Sequence, residues 1–424
     1  MSVLLVVLDA ARADHFGAYG YARATTPAID AFAADALRYD TVIAEAPFTF
    51  LATASLFTAG SPAVTGLVGR SGGRIPASLS MITEVAKESG FATVGYSENP
   101  YITEYFGFHR GFDVFEEAFP ISLHLKRGQL ADDFNSGARL DAILAQAISA
   151  PSRPFFLYAH LLRPHAPYAP PAPFAGRFGS GPEQRVLGES RALEALDARG
   201  PPFDPTTLEA LIALYDENLA YADALFARLL SGLEAGGRLD RTIVILTSDH
   251  GEAFGEQGRL LHSTQLHDPM LRIPLVVRVP GARSGVESRP VQLADLGRAL
   301  EAYFADPADG SALLRLGHDR SEDAPLYSWT NAKTHLVAAR TPTRKLVVDA
   351  ATRRLVAYYD LIGDRNEQRP IPLDQPGRAL APLLQAKIDQ WVGLPVRIET
   401  DPELDPEKRR QLEALGYLEP EAKD

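Results

Sequence analysis

The stretch VLLVVL, residues 3–8, decides the fold, because six consecutive aliphatic residues are followed at once by Asp9. A continuous apolar run of this length is typical of a strand buried on both faces of a parallel sheet. A carboxylate directly after such a strand lies at the sheet edge where ligands gather in open α/β folds. The opening residues therefore predict an α/β protein with an acidic group at its ligand-binding edge.

Strands and helices alternate along the next three hundred residues. Further strands are predicted at residues 41–44, 92–96, 154–161, 242–247 and 274–279. Helices are predicted after Thr26 as N-cap, with Pro27 in the first helical position, from about Leu51, and from Thr206 to the Gly236-Gly237 pair. This alternation favours a doubly wound, largely parallel sheet flanked by helices.

The pattern changes after about residue 320. Short strands of the hairpin type are predicted at residues 326–329, 336–339, 345–348 and 356–359, and helices near 377–392 and 405–415. We therefore divide the chain into a large catalytic domain, residues 1–320, and a small antiparallel α+β C-terminal subdomain, residues 321–424. Residues 174–205, rich in Gly, Pro, Arg and Glu, are interpreted as a surface excursion or lid of the first domain.

The composition limits the classes of function. A net charge of −12 over 424 residues makes nucleic acid an unfavourable partner. The absence of cysteine excludes disulfides, thiolate zinc sites and iron–sulfur clusters. No apolar run approaches the ~20 residues of a membrane helix, and no basic leader precedes Asp9. We expect a cytoplasmic protein without a membrane anchor that acts on a small anionic ester; its oligomeric state is left open.

A second acidic strand end reinforces the first. Asp249 and His250 follow the strand predicted at residues 242–247, so they should meet Asp9 at the same sheet edge. With His262 they form an oxygen and nitrogen ligand set suited to Zn²⁺, Mn²⁺, Mg²⁺ or Ca²⁺. Either segment alone is also consistent with a helix cap or a simple turn, so the prediction of a metal site depends on their combination.

Thr49 precedes a predicted helix, where backbone N–H groups favour negative charge at its oxygen. A threonine hydroxyl is a weak nucleophile unless a divalent cation lowers its pKa. A purely structural helix N-cap is the alternative for this residue. Beside the predicted metal ligands, we interpret Thr49 as both a ligand and a nucleophile.

Four segments resemble the sulfatase-like branch of the alkaline phosphatase superfamily. They are residues 9–21 (DAARADHFGAYGY), 163–168 (RPHAPY), 248–256 (SDHGEAFGE) and the ending 412–418 (LEALGYL). The resemblance implies an alkaline-phosphatase-like fold in which one divalent ion is held by Asp9, Asp249, His250 and the oxygen of Thr49. His262 falls where the family places a further active-site histidine, and a second ion is left open.

The departures from that family concern sulfate chemistry. A sulfatase carries Cys, or sometimes Ser, converted to formylglycine at the nucleophile position, where this chain has Thr49. Its second Asp is Ala10 here, its formylglycine-stabilising Arg is Thr53, and Arg163 replaces an Asp. A threonine ester cannot collapse to an aldehyde, whereas phosphorus accepts in-line attack twice, by Thr49 and then by water. We therefore expect phosphoric rather than sulfuric esters as substrates.

Other residues receive weaker assignments. His165 is a candidate general acid or the ligand of a second ion, with a structural loop histidine as the alternative. Arg12, Asn99 and Arg272 are candidates for binding the substrate anion.

Three hypotheses of function follow. The first is a metal-dependent hydrolase that cleaves phosphoric esters, with sulfuric esters as the second choice, through a covalent Thr49 intermediate. The second is a transferase of the phosphoethanolamine type, and the third is a catalytically degenerate binding protein that keeps the fold.

Overall fold

The computed structural model describes residues 1–67, 74–118, 135–150, 152–308, 310–330 and 335–393. The helix predicted near residues 405–415 lies outside these ranges. Within them, no helix is both long and apolar enough to cross a membrane.

The strands in chain order are β1 Ser2–Leu8, β2 Leu37–Tyr39, β3 Val42–Ile43, β4 Ala92–Ser97, β5 Val114–Glu117, β6 Phe155–Leu161, β7 Thr242–Ser248, β8 Ala253–Phe254, β9 Leu260–Leu261, β10 Arg272–Ile273, β11 Leu275–Arg278, β12 Gly285–Glu287, β13 Val291–Gln292, β14 Leu326–Thr330, β15 Leu336–Arg340, β16 Arg344–Asp349 and β17 Leu355–Asp360. The α-helices are α1 Pro27–Ala34, α2 Thr49–Phe57, α3 Pro62–Thr65, α4 Ile82–Glu88, α5 Ser136–Ile148, α6 Ser190–Arg199, α7 Pro205–Ala235, α8 Asp268–Leu271, α9 Leu293–Ala305 and α10 Gln375–Gly393.

Eight strands form the central sheet, in the order β12-β2-β11-β7-β1-β6-β4-β5. Strand β1 lies near the middle and pairs in parallel with β6 on one side and β7 on the other. The antiparallel strand β11 interrupts an otherwise parallel arrangement. The predicted largely parallel α/β fold is thus confirmed.

The sheet separates two hydrophobic cores, which explains the continuous apolar sequence of β1. Val3, Leu5 and Val7 pack into one core together with α2 and α9. Leu4, Val6 and Leu8 pack into the other, together with α1, α5 and α7. Because both faces of β1 are covered, every position needs an apolar side chain and the alternation typical of a surface strand is absent.

The C-terminal strands form a separate antiparallel sheet in the order β14-β15-β16-β17, with α10 packed against it. This sheet is joined to the chain just before α2. The Ser328 hydroxyl donates to the Ala44 carbonyl at 2.7 Å, and the Trp329 amide donates to the Glu45 carbonyl at 2.8 Å. The antiparallel architecture confirms that part of the fold prediction, while the boundary at residue 320 stays a prediction.

Some local details differ from the sequence analysis. Helix α2 begins at Thr49 itself, with Phe48 as the N-cap, so Thr49 is not a capping residue. Thr26 does occupy the N-cap of α1, but its hydroxyl bonds Asp30 instead of a helix amide. Residues 174–205 contain α6, which the sequence analysis did not expect, and Glu217 of α7 accepts hydrogen bonds from the amides of Gly176 and Phe178.

Candidate metal centre and active site

Three predicted metal ligands meet at the carboxyl edge of the central sheet. Because β1 pairs with β7 in the register Leu8 to Ser248, Asp9 and Asp249 follow neighbouring strand ends. One ligand atom from each of Asp9, Asp249 and His250 lies within 4.8 Å of the others. All three side chains are buried.

The backbone after β1 is turned sharply to fix this arrangement. Ala10 has a φ of 58°, a left-handed conformation that is unusual for a residue with a Cβ. Its amide donates to Asp249 Oδ1 at 3.1 Å, and the His250 amide donates to the same oxygen at 2.8 Å. At Gly251 a Cβ would lie 2.1 Å from the Pro269 carbonyl, so only glycine allows this turn. One oxygen of Asp249 is therefore held by the backbone, which leaves the other to face the cluster.

The cluster contains buried polar atoms that lack partners. Among the residues that the structure describes, Asp9 Oδ1 and Asp249 Oδ2 have no hydrogen-bond donor. Leaving a buried polar atom unsatisfied costs about 1–3 kcal/mol, and more when it is charged. Burial alone would raise the pKa of Asp9, but His165, His160 and His250 hold that pKa below its ordinary value. Carboxylate oxygens without hydrogen bonds beside an imidazole fit a divalent cation, so the residues present suit the metal that the sequence predicts.

Thr49 lies directly beside this cluster. Its Oγ1 is 3.3 Å from His250 Nε2 and 3.4 Å from the side-chain amide nitrogen of Asn99. The same amide nitrogen donates to Asp9 Oδ2. Thr49 is buried at the start of α2, so its hydroxyl faces the predicted metal ligands instead of capping a helix. The structure thus brings the predicted nucleophile and Asn99 to the same site.

Two further histidines border the cluster. The rings of His250 and His262 have centroids 4.3 Å apart, and those of His262 and His165 are 5.0 Å apart. Burial lowers the pKa of His262 to about 4, so its ring is neutral at pH 7 and Nδ1–H donates to Glu252 at 2.9 Å. The Tyr168 hydroxyl donates to the other Glu252 oxygen at 3.0 Å. Glu252 therefore orients His262, a role that the sequence analysis did not assign.

The two predicted substrate-binding arginines contact other groups. The Arg12 guanidinium pairs with Asp14 and Glu256, each at 2.8 Å, and it also donates to the Glu252 carbonyl. Arg272 donates to the Asp40 carbonyl at 3.0 Å. The structure brings neither guanidinium to the cluster, and their assignment to the substrate stays a prediction.

One histidine at the site was missed by the sequence analysis. His160 lies one residue before the end of β6, the other neighbour of β1, and its Nε2 is 3.4 Å from Asp9 Oδ2. The signal was present in the sequence, because His160 is an imidazole near the carboxyl end of a strand whose other residues are aliphatic or aromatic. The strand was interpreted only as a core element.

Comparisons with known proteins identify the family of the chain. A family model described as Sulfatase matches residues 2–303. The chain is 24% identical over 398 residues to human iduronate 2-sulfatase, covering 81% of this chain and 70% of that protein. It is also 24% identical over 227 residues to the multifunctional alkaline phosphatase superfamily protein PehA of Trinickia caryophylli, covering 45% of this chain and 44% of PehA.

A solved structure shows the same fold. The phosphonate monoester hydrolase of Agrobacterium radiobacter superposes with a TM-score of 0.70 at 22% identity, covering 92% of this chain and 95% of the other. The family match spans most of the chain and includes Asp9, Thr49, Asp249 and His250. The prediction of an ester hydrolase is confirmed at the level of the family. The chain belongs to the sulfatase family of the alkaline phosphatase superfamily.

Proposed function

We propose that the protein hydrolyses phosphoric or phosphonic esters through a covalent intermediate on Thr49. The observation that carries this proposal is the position of Thr49 Oγ1, buried and 3.3 Å from His250 Nε2 at the edge of the Asp9–Asp249–His250 cluster. A divalent ion held by these residues would lower the pKa of the hydroxyl and neutralise the anionic ester.

Two side chains near Thr49 would position the nucleophile and transfer protons. The Asn99 amide nitrogen bridges Asp9 Oδ2 and Thr49 Oγ1, so it fixes the nucleophile relative to the carboxylate. His165 is anchored by its own amide, which donates to the Asp9 carbonyl at 3.1 Å. Its Nδ1 bonds the Ala166 carbonyl, which leaves Nε2 to give a proton to the leaving oxygen and then to accept one from the attacking water.

The nature of the nucleophile supports phosphorus over sulfur. With no cysteine in the chain and Thr at position 49, the formylglycine route to sulfate release is closed. Release of the Thr49 ester then requires attack by water at the central atom, which phosphoryl groups accept. The relatives include one named for alkaline phosphatase superfamily chemistry and a neighbour in fold named for phosphonate monoesters.

The proposal is tested with three chromogenic esters and a nucleophile variant. Turnover of p-nitrophenyl phosphate, bis-p-nitrophenyl phosphate and p-nitrophenyl sulfate is compared in the metal-loaded wild type and in Thr49→Ala. We expect turnover of a phosphoric ester that falls by more than about a thousandfold in Thr49→Ala. Thr58→Ala, at the other end of α2, removes a hydroxyl bonded only within the helix and is the matched control.

Acid quench followed by mass spectrometry identifies the intermediate. A phosphoryl adduct on the peptide that contains Thr49 is the expected result. Turnover unchanged in Thr49→Ala would contradict the assignment of the nucleophile. A metal-loaded protein inert towards all three esters would favour a degenerate binding protein, and turnover that depends on an added acceptor alcohol would favour a transferase.

A further inference from the structure

His160 is a buried histidine whose outer nitrogen lies among the carboxylates of the metal centre. Its side chain has no exposed surface. Its Nε2 is 3.4 Å from Asp9 Oδ2 and 3.9 Å from Asp249 Oδ2. Although both oxygens are near, Nε2 makes no hydrogen bond in the structure. The ring is therefore directed into the cluster, with Nε2 close to an oxygen of each carboxylate.

The inner nitrogen of the same ring is fixed. His160 Nδ1 lies 2.7 Å from the Tyr158 hydroxyl, which comes from the same face of β6 two residues earlier. When Nδ1 carries the proton and donates to the tyrosine oxygen, Nε2 presents a lone pair. An outer partner on one ring nitrogen commonly sets the tautomer of a metal-binding histidine.

The three atoms without partners at this edge share one property. Asp9 Oδ1, Asp249 Oδ2 and His160 Nε2 are all buried electron-pair donors without a hydrogen bond to any described part of the chain. Position 10, directly after the first ligand, is alanine and supplies no donor. We propose that His160 Nε2 is a protein ligand of the same metal ion, so that the donor set is Asp9, Asp249, His250 and His160 with the Thr49 oxygen. This inference rests on the metal centre of the proposed function and extends it.

The donor set determines the class of metal. Two carboxylates and two imidazoles neutralise a divalent ion and supply two nitrogen donors. Ca²⁺ and Mg²⁺ favour oxygen ligands, whereas imidazole suits transition metals such as Zn²⁺ and Ni²⁺. A site with His160 as a ligand is therefore selective for a transition metal, and a site with His250 alone is less so.

Pulsed electron paramagnetic resonance of the Mn²⁺-loaded wild type counts the imidazole ligands without requiring a variant to fold. We expect two coupled imidazole nitrogens in the wild type and one in His160→Gln. A single imidazole in the wild type would overturn the proposal.

Zn²⁺ titration of the apoprotein measures the contribution to affinity. We expect the Kd of His160→Ala to rise by more than about a hundredfold, beyond the usual effect of losing an outer-sphere partner. The ratio of the Kd for Ca²⁺ to the Kd for Zn²⁺ should be smaller in the same variant than in the wild type. His15→Gln is the control, since it alters a buried histidine that is instead paired with Asp216 at 2.6 Å.

The experiments distinguish failure of the His160 proposal from failure of the proposed function. If Asp249→Asn loses Zn²⁺ while His160→Ala and wild type bind it equally and give the same Co²⁺ absorption spectrum, the metal centre stands and the role of His160 fails. If the wild type binds none of these metals and turns over no ester, the proposed function fails as well.

Discussion

Two clusters of buried charged groups differ in whether their charges are paired. The first, the active-site cluster, consists of Asp9, Asp249, His250 and His160. The second, the junction cluster, consists of Asp268, Arg340, Lys345 and Glu367, and it ties helix α8 to the C-terminal sheet. Both are buried, and among the described residues each contains polar atoms without a hydrogen bond, three in the active-site cluster and Glu367 Oε1 in the junction cluster. The difference is that each acid of the junction cluster lies within 3.0 Å of a lysine or arginine nitrogen, Glu367 Oε1 included.

The distances in the junction cluster show this pairing. Lys345 Nζ lies 2.9 Å from Asp268 Oδ1 and 2.7 Å from Glu367 Oε1, and its side chain has no exposed surface. Arg340 pairs with Asp268 Oδ2 at 3.0 Å. Burial would raise the pKa of Asp268, but these two cations hold it well below its ordinary value. A cluster that satisfies its own charges holds the structure together, while one that does not has capacity for a ligand.

The largest expected effect comes from breaking the paired cluster. Asp268→Ala leaves Arg340 and Lys345 buried without their shared acid, which should lower the free energy of unfolding by about 3–5 kcal/mol. Urea denaturation in the presence of a chelator measures this change. Asp141→Ala, which breaks an exposed pair with Arg228, is the control and should cost less than about 1 kcal/mol.

A cost for Asp268→Ala as small as that of the control would mean that the junction cluster contributes little to stability. The contrast between the two clusters would then concern geometry alone.

A third buried acid shows what happens to an unpartnered oxygen outside a metal site. Glu45 accepts the Ala294 amide at 2.8 Å with one oxygen, and its other oxygen has no partner. Burial raises the pKa of Glu45 to about 8, and the nearby Asp295 adds to this effect while Arg298 opposes it. Asp9, surrounded by histidines, shifts in the opposite direction. An unpartnered oxygen thus indicates a metal only where nitrogen ligands accompany it.

The Glu45 shift predicts a pH dependence of stability. Since the folded pKa of about 8 exceeds the ordinary value of 4.5, the folded state binds the proton more tightly. The contribution is fully present below pH 4.5 and is lost as the pH rises towards 8. Between pH 5 and 8 we expect the wild type to lose about 3 kcal/mol relative to Glu45→Gln, measured by urea denaturation of both proteins. Parallel stability curves for the two proteins would contradict this assignment.

Much of this architecture could be predicted from the sequence. The apolar run before Asp9 and the strand before Asp249 predicted a parallel sheet with both acids at one edge. The structure has this arrangement. Such predictions succeed because strand periodicity and strand ends are local properties of the chain. The structure also brings Thr49 Oγ1 to 3.3 Å from His250 Nε2, although its helix begins two residues earlier than predicted.

The pairing of individual polar atoms could not be predicted in this way. The sequence analysis predicted that Arg12 binds the substrate anion. In the structure its guanidinium pairs with Asp14 and with Glu256, which is 244 residues away in the chain. His160 looked like part of the core because only the register of β6 against β1 shows that its ring reaches Asp9. Whether a buried group has a partner depends on contacts between distant segments, and the pattern of one segment carries no information on them.

The smallest expected effect has the opposite sign from the first. Asp249→Asn keeps the Oδ1 acceptor for the Ala10 and His250 amides and places an amide nitrogen where the unpartnered Oδ2 lies. This removes one of two neighbouring buried negative charges, so the metal-free variant should be more stable than metal-free wild type by about 1–2 kcal/mol. Thermal unfolding with a chelator measures that gain.

When Zn²⁺ is added at about a hundred times the wild-type Kd, the free energy of unfolding of the wild type should rise by about 2.7 kcal/mol and that of the variant should hardly change. A chelator-treated variant that is less stable than wild type would mean that the unpartnered acids help to hold the fold, and the distinction between the two clusters would fail.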